Sequence, residues 1–246
     1  MSEEQKQSES RARPITDELR SFISSGWSPR PSGTPGRAPV ADFAASRRGT
    51  VSEQFPGERL VVPAGGFKVR SNDTDYVFRP HSAFAHLTGF GSDEEPDAVL
   101  VLEPRSESAG GGHDAVLYFR PWGGRDGDEF FSDSRYGEFW VGARPTLEDI
   151  EAEFGLAARH IDELKDAVGK DAGHVGIRVV RDADAEVAAV VDEVRDASTE
   201  ETTEAHRAAA LEQDEELEVF LSTLRLVKDE WEIEQMKAAV AATHLG

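Results

Sequence analysis

Two apolar runs separated by glycines constrain the fold of this chain more than any other feature. The first run is Asp97–Leu102 (DAVLVL), the second is Ala115–Phe119 (AVLYF), and Gly110–Gly112 lies between them. Short runs rich in branched apolar residues and bounded by turn residues are typical of buried strands. They predict a β-hairpin of core-buried strands, in which polar and apolar residues do not alternate.

The remaining patterned segments alternate between helix and strand. A helix is predicted over Phe43–Phe55, where Pro56-Gly57 ends it, and a short buried strand over Arg59–Pro63. Thr146 is placed to cap a further helix, with Asp149 reaching back, and Gly155 ends it. Later elements follow the same alternation: a strand at 174–180, a helix at 185–194 and helical spacing at 211–224. This alternation predicts an α/β layer fold.

Three segments carry no core pattern. Residues 1–39 are rich in Ser, Pro, Gly and Arg and are predicted to be poorly ordered, with one short helical pattern around Ile15, Leu19, Phe22 and Ile23 and with Trp27 as the one large residue able to dock locally. Residues 123–134 read as an acidic solvated loop, because they lack the ligand spacing of a calcium loop. Residues 196–204 read as a polar linker.

The last predicted helix has an apolar stripe. Asp229 is a good N-cap with Glu232 three residues on, and Ile233, Met236 and Val240 follow at helical spacing. A stripe of this kind requires a covering surface.

Composition excludes several classes of function. The formal net charge of −21 argues against binding to nucleic acid or to an anionic membrane, since both require cationic patches. The alternative explanation of the acidity is solubility. The chain has no cysteine, which excludes disulfides, thiol nucleophiles and cysteine-held zinc. No apolar run approaches the ~20 residues of a membrane span, and the N-terminus lacks a signal-peptide pattern, so we expect a cytoplasmic protein.

The sequence shows no catalytic constellation by its residues alone. Its seven histidines have no HExxH or paired spacing, and no glycine-rich segment has the Lys-Ser/Thr of a phosphate-binding loop. His81 and His86 could face one pocket, or could be ordinary histidines near a loop.

Longer motifs nevertheless resemble one known family. They are Arg70–Tyr76 (RSNDTDY), Phe78-Arg79, Leu87–Phe90 (LTGF), Glu95–Leu102 (EPDAVLVL), Glu138–Gly142 (EFWVG) and Leu224–Ile233 (LRLVKDEWEI). In this order they resemble the N-terminal domain of the Xaa-Pro aminopeptidase (aminopeptidase P) family, in its actinobacterial form. The resemblance implies a creatinase- and prolidase-like N-domain, with a mixed sheet and flanking helices.

The resemblance also implies the chemistry of the family. These enzymes remove an N-terminal residue that precedes proline, using two manganese ions held by two Asp, one His and two Glu of a following "pita-bread" domain. None of those ligands matches a position here, so we expect this chain to bind no metal by itself and to be inactive alone.

Four residues are candidate contacts to substrate or to the catalytic domain by resemblance: Trp140, Asp73, Tyr76 and Arg79. Trp140 matches a tryptophan that approaches a neighbouring subunit's active site, which implies a homo-oligomer. The alternative interpretation is a core tryptophan beside Phe139. Asp73 matches a carboxylate near the interdomain cleft, and its alternative is a turn residue.

The predicted organisation has three parts: a disordered extension at 1–39, the aminopeptidase P N-terminal domain at 40–224, and the first helix of a truncated catalytic domain at 225–246. Two other hypotheses stay open. The chain could be a stand-alone, non-catalytic interaction module that joins full-length homologues, or the product of a broken reading frame.

Overall fold

The chain divides into two units, each built from two stretches of sequence. The computed structural model describes residues 16–30, 32–72, 74–92, 94, 96–127, 129–198 and 203–245. One unit, here called the aromatic unit, joins the N-terminal stretch up to Gly33 with Trp122–Arg144. The other, called the sheet unit, joins Thr34–Pro121 with the residues from Pro145 onwards.

A five-stranded sheet forms the centre of the sheet unit. Its strands and those of a small separate hairpin are β1 (Arg59–Pro63), β2 (Val69–Ser71), β3 (Thr74–Asp75), β4 (Val99–Pro104), β5 (His113–Phe119), β6 (Ala157–His160) and β7 (Ile177–Val179). The order in the large sheet is β6-β5-β4-β1-β7. β4 runs antiparallel to β1 and β5, whereas β6 and β7 pair in parallel with β5 and β1. The sheet is therefore mixed, which confirms the fold class that the resemblance implied.

The two apolar runs form the predicted hairpin of β4 and β5, with Leu100 opposite Leu117. Successive residues of β4 enter different cores, because Leu100 belongs to one hydrophobic cluster and Val101 to the other. Burial on both faces explains why the run is continuously apolar. Each fully buried side chain of this kind stabilises the fold by roughly 1.5–3 kcal/mol.

Helices cover both faces of the sheet. The helices in chain order are α1 (Asp17–Ile23), α2 (Ala41–Gln54), α3 (Ser82–Thr88), α4 (Glu129–Ser132), α5 (Glu138–Val141), α6 (Leu147–Phe154), α7 (Leu164–Gly169), α8 (Ala185–Ala197), α9 (Glu204–Leu224) and α10 (Glu230–Leu245). One hydrophobic cluster takes residues from α2, α3, α6 and α9, and the other takes residues from α7 and α8. The predicted capping box at Thr146 is present, and Gly155 ends α6 in the left-handed conformation.

Buried ion pairs join the sheet to its helices. Arg59 is fully buried, binds Glu103 through Nε at 2.6 Å and Nη2 at 2.9 Å, and donates to the carbonyl of Val168. Asp214 of α9 is also fully buried and accepts from the Val179 amide of β7 at 2.8 Å. Two arginines complete its shell, Arg181 at 3.0 Å and Arg195 at 2.7 Å. Both buried side chains therefore have hydrogen-bonding partners, as they must, because a buried charged group without partners is costly.

The start of α10 is anchored to the sheet unit by charge. Asp229 caps the helix by accepting from the Glu232 amide, and Glu232 reaches back to the Asp229 amide, as predicted. Arg47 of α2 donates to Asp229 at 2.8 Å and to the carbonyl of His86 at 2.9 Å. The pKa of His86 is lowered to about 4, first by the burial of its side chain and then by the positive charge of the neighbouring Arg47. The imidazole is therefore neutral at pH 7.

Some expectations need correction. The segment 123–134 is not simply a solvated loop, because α4 buries Phe130 and Phe131 to 1% and 7% exposure. Burial of the two phenylalanine side chains orders this segment although its neighbouring residues are acidic. The sequence patterns also missed β6 and α3, which are short. The helical spacing predicted at 211–224 begins earlier, at Glu204.

The predicted three-part division stays a prediction. Within its first part α1 is helical, and residues 1–15 and 31 lie outside the described residues. Across the described part of the chain, no helix combines the length and apolarity needed to cross a bilayer.

Candidate functional site

The short helix α5 of the aromatic unit presents Trp140 at the surface. The residue is 57% exposed, so it is not the core tryptophan of the alternative interpretation. Its Nε1 donates to the carbonyl of Phe131 at 2.7 Å, and its ring meets that of Phe139 edge-on with centroids 5.4 Å apart. A broad apolar ring is thus held in place with its one polar atom satisfied, which is suited to binding by contact.

Glu138, the first residue of α5, receives two donors from the preceding loop. Trp122 donates its Nε1 at 2.7 Å and Arg125 its Nε at 3.0 Å. The hydrogen bond from Arg125, and then that from Trp122, lower the pKa of Glu138 because they favour the carboxylate. The same bond raises the pKa of Arg125. The pair therefore stays charged at neutral pH and fixes the start of the helix.

Close packing of the residues on either side of α5 in the sequence holds this helix in place. Arg144 is 1% exposed, with its guanidinium carbon 5.0 Å from the centre of the Tyr136 ring and a 2.9 Å hydrogen bond to the Tyr136 carbonyl. Gly137 leaves no room for a side chain, since a Cβ there would lie 2.5 Å from the carbonyl oxygen of Asp133 and 2.6 Å from that of Phe130. Glycine is required here by close approach of the backbone.

The other candidate residues belong to the sheet unit. Tyr76 and Arg79 lie on one exposed segment that follows the β2–β3 hairpin, and Tyr76 is 59% exposed. The amide of Tyr76 donates to the carbonyl of Lys68 at 2.9 Å, which holds the base of the hairpin. Asp73 lies outside the described residues. The segment thus presents a phenol and a guanidinium at the surface.

His81 and His86 do not face one pocket. They line two different cavities, of about 300 and 170 Å³ respectively. His86 Nε2 lies 3.8 Å from a carboxylate oxygen of Glu232, and His81 Nε2 lies 3.4 Å from one of Asp182. The two histidines therefore do not form an acid–base pair with each other.

No three His, Asp or Glu side chains converge into a metal-binding group within the described part of the chain. The described residues therefore do not form the donor set of the two-manganese centre that the resemblance implies for the whole enzyme. The candidate groups that the structure shows are an exposed ring in the aromatic unit and exposed polar groups in the sheet unit.

Sequence reasoning missed most of what holds Trp140. Glu138 lies inside the EFWVG motif, but Trp122 and Arg125 carried no signal. Their hydrogen bonds to Glu138 join residues 16 and 13 positions apart, and no periodic pattern connects donor to acceptor.

Comparisons with known proteins identify the family. The model of the family described as "Aminopeptidase P, N-terminal domain" matches residues 44–177, more than half of the chain. The chain belongs to this family. The identification made from the motifs is thereby confirmed.

Curated relatives from Streptomyces extend the match. Xaa-Pro aminopeptidase 1 of Streptomyces coelicolor is 41% identical over 235 residues, which covers 94% of this chain and 42% of the relative. Xaa-Pro aminopeptidase 2 of the same organism is 40% identical over 234 residues, covering 94% and 44%. The aminopeptidase P N-domain described here thus spans less than half the length of these relatives.

Solved structures show the same fold. Escherichia coli aminopeptidase P in its low-pH form gives a TM-score of 0.50 at 23% identity, over 63% of this chain and 32% of that one. The same enzyme with the inhibitor Pro-Leu gives 0.52 at 22% identity, over 65% and 33%.

Proposed function

We propose that this chain forms the substrate-facing N-terminal domain of an Xaa-Pro aminopeptidase, an enzyme that removes the residue preceding proline from a peptide's N-terminus. The observation that carries the proposal is the family match together with 41% identity to a Streptomyces Xaa-Pro aminopeptidase over 94% of the chain. The structure adds a fixed, exposed tryptophan inside one of the shared motifs.

In this proposal Trp140 contacts substrate or a neighbouring subunit's active site. Its ring offers a flat apolar surface to a proline ring, which is itself apolar and rigid, and it transfers no proton. Tyr76, Arg79 and Asp73 contribute polar contacts to substrate or to a catalytic domain. The division into segments 1–39, 40–224 and 225–246 is part of the same proposal.

The proposal assigns metal binding to the part of the relatives that this chain does not span. The two manganese ions would supply water activation there, and none of the described residues is given a role in that step. The isolated chain is accordingly inactive in this proposal.

A chimera tests the substrate-facing role. This chain would replace the part of Streptomyces coelicolor Xaa-Pro aminopeptidase 1 that it matches, and release of arginine from Arg-Pro-Pro would be measured. The chimera should be active, and Trp140→Ala should lower kcat/KM about tenfold, since loss of an aromatic contact worth ~1.4 kcal/mol has that effect.

Val219→Ala is the matched control for the chimera. Val219 is 58% exposed on α9, and its truncation should leave kcat/KM unchanged. An active chimera in which Trp140→Ala and Val219→Ala behave alike would refute the role of Trp140. An inactive but folded and metal-loaded chimera would count against the whole proposal.

The isolated chain offers a second test. Purified protein with Arg-Pro-Pro and manganese should release no arginine. Turnover that a chelator abolishes and manganese restores would contradict the proposed inactivity.

A second candidate function is a non-catalytic interaction module. Its support is the apolar stripe of α10, where Ile233, Met236 and Val240 are 41%, 56% and 59% exposed. Stripes of this kind mark association surfaces. In this candidate the chain forms a homo-oligomer or joins full-length homologues.

Light scattering after size-exclusion chromatography, with the chain alone and mixed with a full-length homologue, should show a mass above that of the monomer. Met236→Glu should abolish this increase in mass. A strictly monomeric chain that ignores the homologue would reject this candidate.

A further inference from the structure

The N-terminal segment of residues 24–30 lies against the part of the aromatic unit that carries Trp140. Trp27 is its main contact. The Trp27 ring meets Phe130 at 5.3 Å and Phe139 at 6.0 Å between centroids, both edge-on. Phe139 is the neighbour on which the Trp140 ring also packs. The Trp27 Nε1 donates back to the carbonyl of Ile23 at 2.6 Å, which fixes the ring relative to α1.

Arg125 ties this segment to the start of α5. Its guanidinium carbon lies 5.7 Å from the centre of the Trp27 ring, and its Nη1 donates to the carbonyl of Ser28 at 2.6 Å. The Nε of the same guanidinium donates to Glu138 at 3.0 Å. One planar fork therefore links a backbone carbonyl of residues 24–30 to the first carboxylate of the helix.

Arg30 makes a second link within the aromatic unit. Its guanidinium carbon lies 4.8 Å from the centre of the Trp122 ring, and its Nη1 donates to the carbonyl of Arg144 at 2.7 Å. Trp122 in turn donates to Glu138. Each arginine–tryptophan contact therefore includes one donor to Glu138. In the Arg125–Trp27 contact the donor is Arg125, and in the Arg30–Trp122 contact it is Trp122.

The helix needs this external support. α5 contains only four residues, Glu138–Val141. Isolated helices shorter than about 12–15 residues are marginal in water, so the conformation of α5 depends on tertiary contacts. Residues 24–30 supply one of those contacts directly, Trp27 on Phe139, and reach Glu138 indirectly through Arg125 and Trp122.

We propose that residues 24–30 act as a strap that sets the orientation of Trp140, with Trp27, Arg30 and Arg125 as positioning residues. The substrate-facing meaning of that orientation rests on the proposed function, whereas the strap itself does not.

The test uses the full 246-residue chain labelled with 5-fluorotryptophan. Its four tryptophans give four ¹⁹F resonances, each assigned by a Trp→Phe substitution. Trp27→Ala should move the Trp140 resonance by more than its linewidth and increase its H₂O/D₂O isotope shift. Trp231→Phe, a substitution in the sheet unit, should leave the Trp140 resonance in place.

Conservative variants separate positioning from general stabilisation. Trp27→Phe keeps an edge-on ring and should return the Trp140 resonance towards its original position. Arg125→Lys keeps the charge but loses the fork, so it should move the Trp140 resonance in the direction that Trp27→Ala does.

Two results would overturn the strap. In one, the Trp140 resonance is unchanged in both Trp27→Ala and Arg125→Lys. In the other, Trp27→Ala moves the Trp122 and Trp140 resonances to their positions in urea and Trp27→Phe does not restore them, which would show that Trp27 only stabilises the unit. Since no peptide is used, failure here leaves the proposed function standing, and failure of the chimera leaves the strap standing.

Discussion

A five-stranded sheet packed on both faces holds the sheet unit, whereas the described residues of the aromatic unit form no strand and are held by rings, arginines and short helices. The first has a β4 strand whose neighbouring residues enter two separate cores. The second orders a four-residue helix through Glu138 and its donors. We therefore expect the sheet unit to supply most of the stability of the fold and the aromatic unit to hold Trp140 in one orientation. Substitutions in each unit should therefore have different consequences.

The largest effect is expected at the buried charge of the sheet unit. Asp214→Ala leaves the buried Val179 amide without its acceptor and leaves Arg181 and Arg195 with the half-exposed Asp192 as their carboxylate partner, so it should lower the free energy of unfolding by ~3–5 kcal/mol. Urea denaturation followed by far-UV circular dichroism measures it. Glu193→Ala is the control, since its pair with Lys165 is well exposed and should cost only ~0–1 kcal/mol. Equal losses in the two variants would show that burial does not decide the effect.

Truncation of the apolar core should come next. Leu100 is fully buried in β4, so Leu100→Ala should lower the free energy of unfolding by roughly 2–5 kcal/mol through lost burial and a cavity. Val219→Ala, at an exposed position of α9, should change it by less than ~0.5 kcal/mol. The same denaturation experiment measures both. A loss below that of Val219→Ala would contradict a core built on β4.

A smaller effect should appear with pH at His86. Its folded pKa of about 4 lies below its ordinary value of 6.5, because burial and then Arg47 disfavour the charged imidazole. Unfolded chains therefore bind the proton first as pH falls. The stability contributed by neutral His86 is present above about pH 6.5 and is lost towards pH 4, by at most ~1.4 kcal/mol per pH unit.

The comparison variant for this pH effect is His86→Phe. Burial also lowers the pKa of His113, so the wild-type slope contains more than one group. Denaturation at several values between pH 7 and pH 4 should give a shallower slope for His86→Phe than for the wild type. Identical slopes would contradict the lowered pKa.

The smallest effect on overall stability is expected in the aromatic unit. Gly137→Ala places a methyl group against the carbonyls of Phe130 and Asp133, so α5 should be displaced while the sheet unit is unaffected. The ¹⁹F resonance of Trp140 should shift, whereas the denaturation midpoint of the sheet unit should not. Gly127→Ala meets nothing within 4 Å and should leave both unchanged. A Gly137→Ala protein with an unshifted Trp140 resonance would contradict the close packing under α5.

Most of the sheet unit could be predicted from the sequence, whereas much of the aromatic unit could not. The β4–β5 hairpin, the helix over Ala41–Gln54 and the capping box at Thr146 were predictable, because burial on two faces, helical spacing and capping residues leave local patterns. The short strand β6 was missed since it has only four residues and is partly exposed. Its position is decided by pairing with β5, which no local pattern shows.

The surroundings of Trp140 were harder to predict. The resemblance identified Trp140 itself, but not the edge-on contact of Trp27 with Phe130 or the hydrogen bond from Arg125 to the Ser28 carbonyl, which joins residues 97 positions apart. Arginine–aromatic contacts have no fixed spacing in sequence, so they can be found only after the fold is known. The acidic composition of segment 123–134 hid the two phenylalanines that anchor it.

The parallel pairing of β7 with β1 shows that the family model ends before the folded sheet does. The family match ends at residue 177, the first residue of β7, yet Val61 pairs with Val179 and all five residues of β1 are buried. A fragment trimmed at residue 177 would uncover β1 as an edge strand with unpaired backbone groups, which invites aggregation. Fragments for expression should therefore extend through β7 and on to α9, where Asp214 binds the Val179 amide.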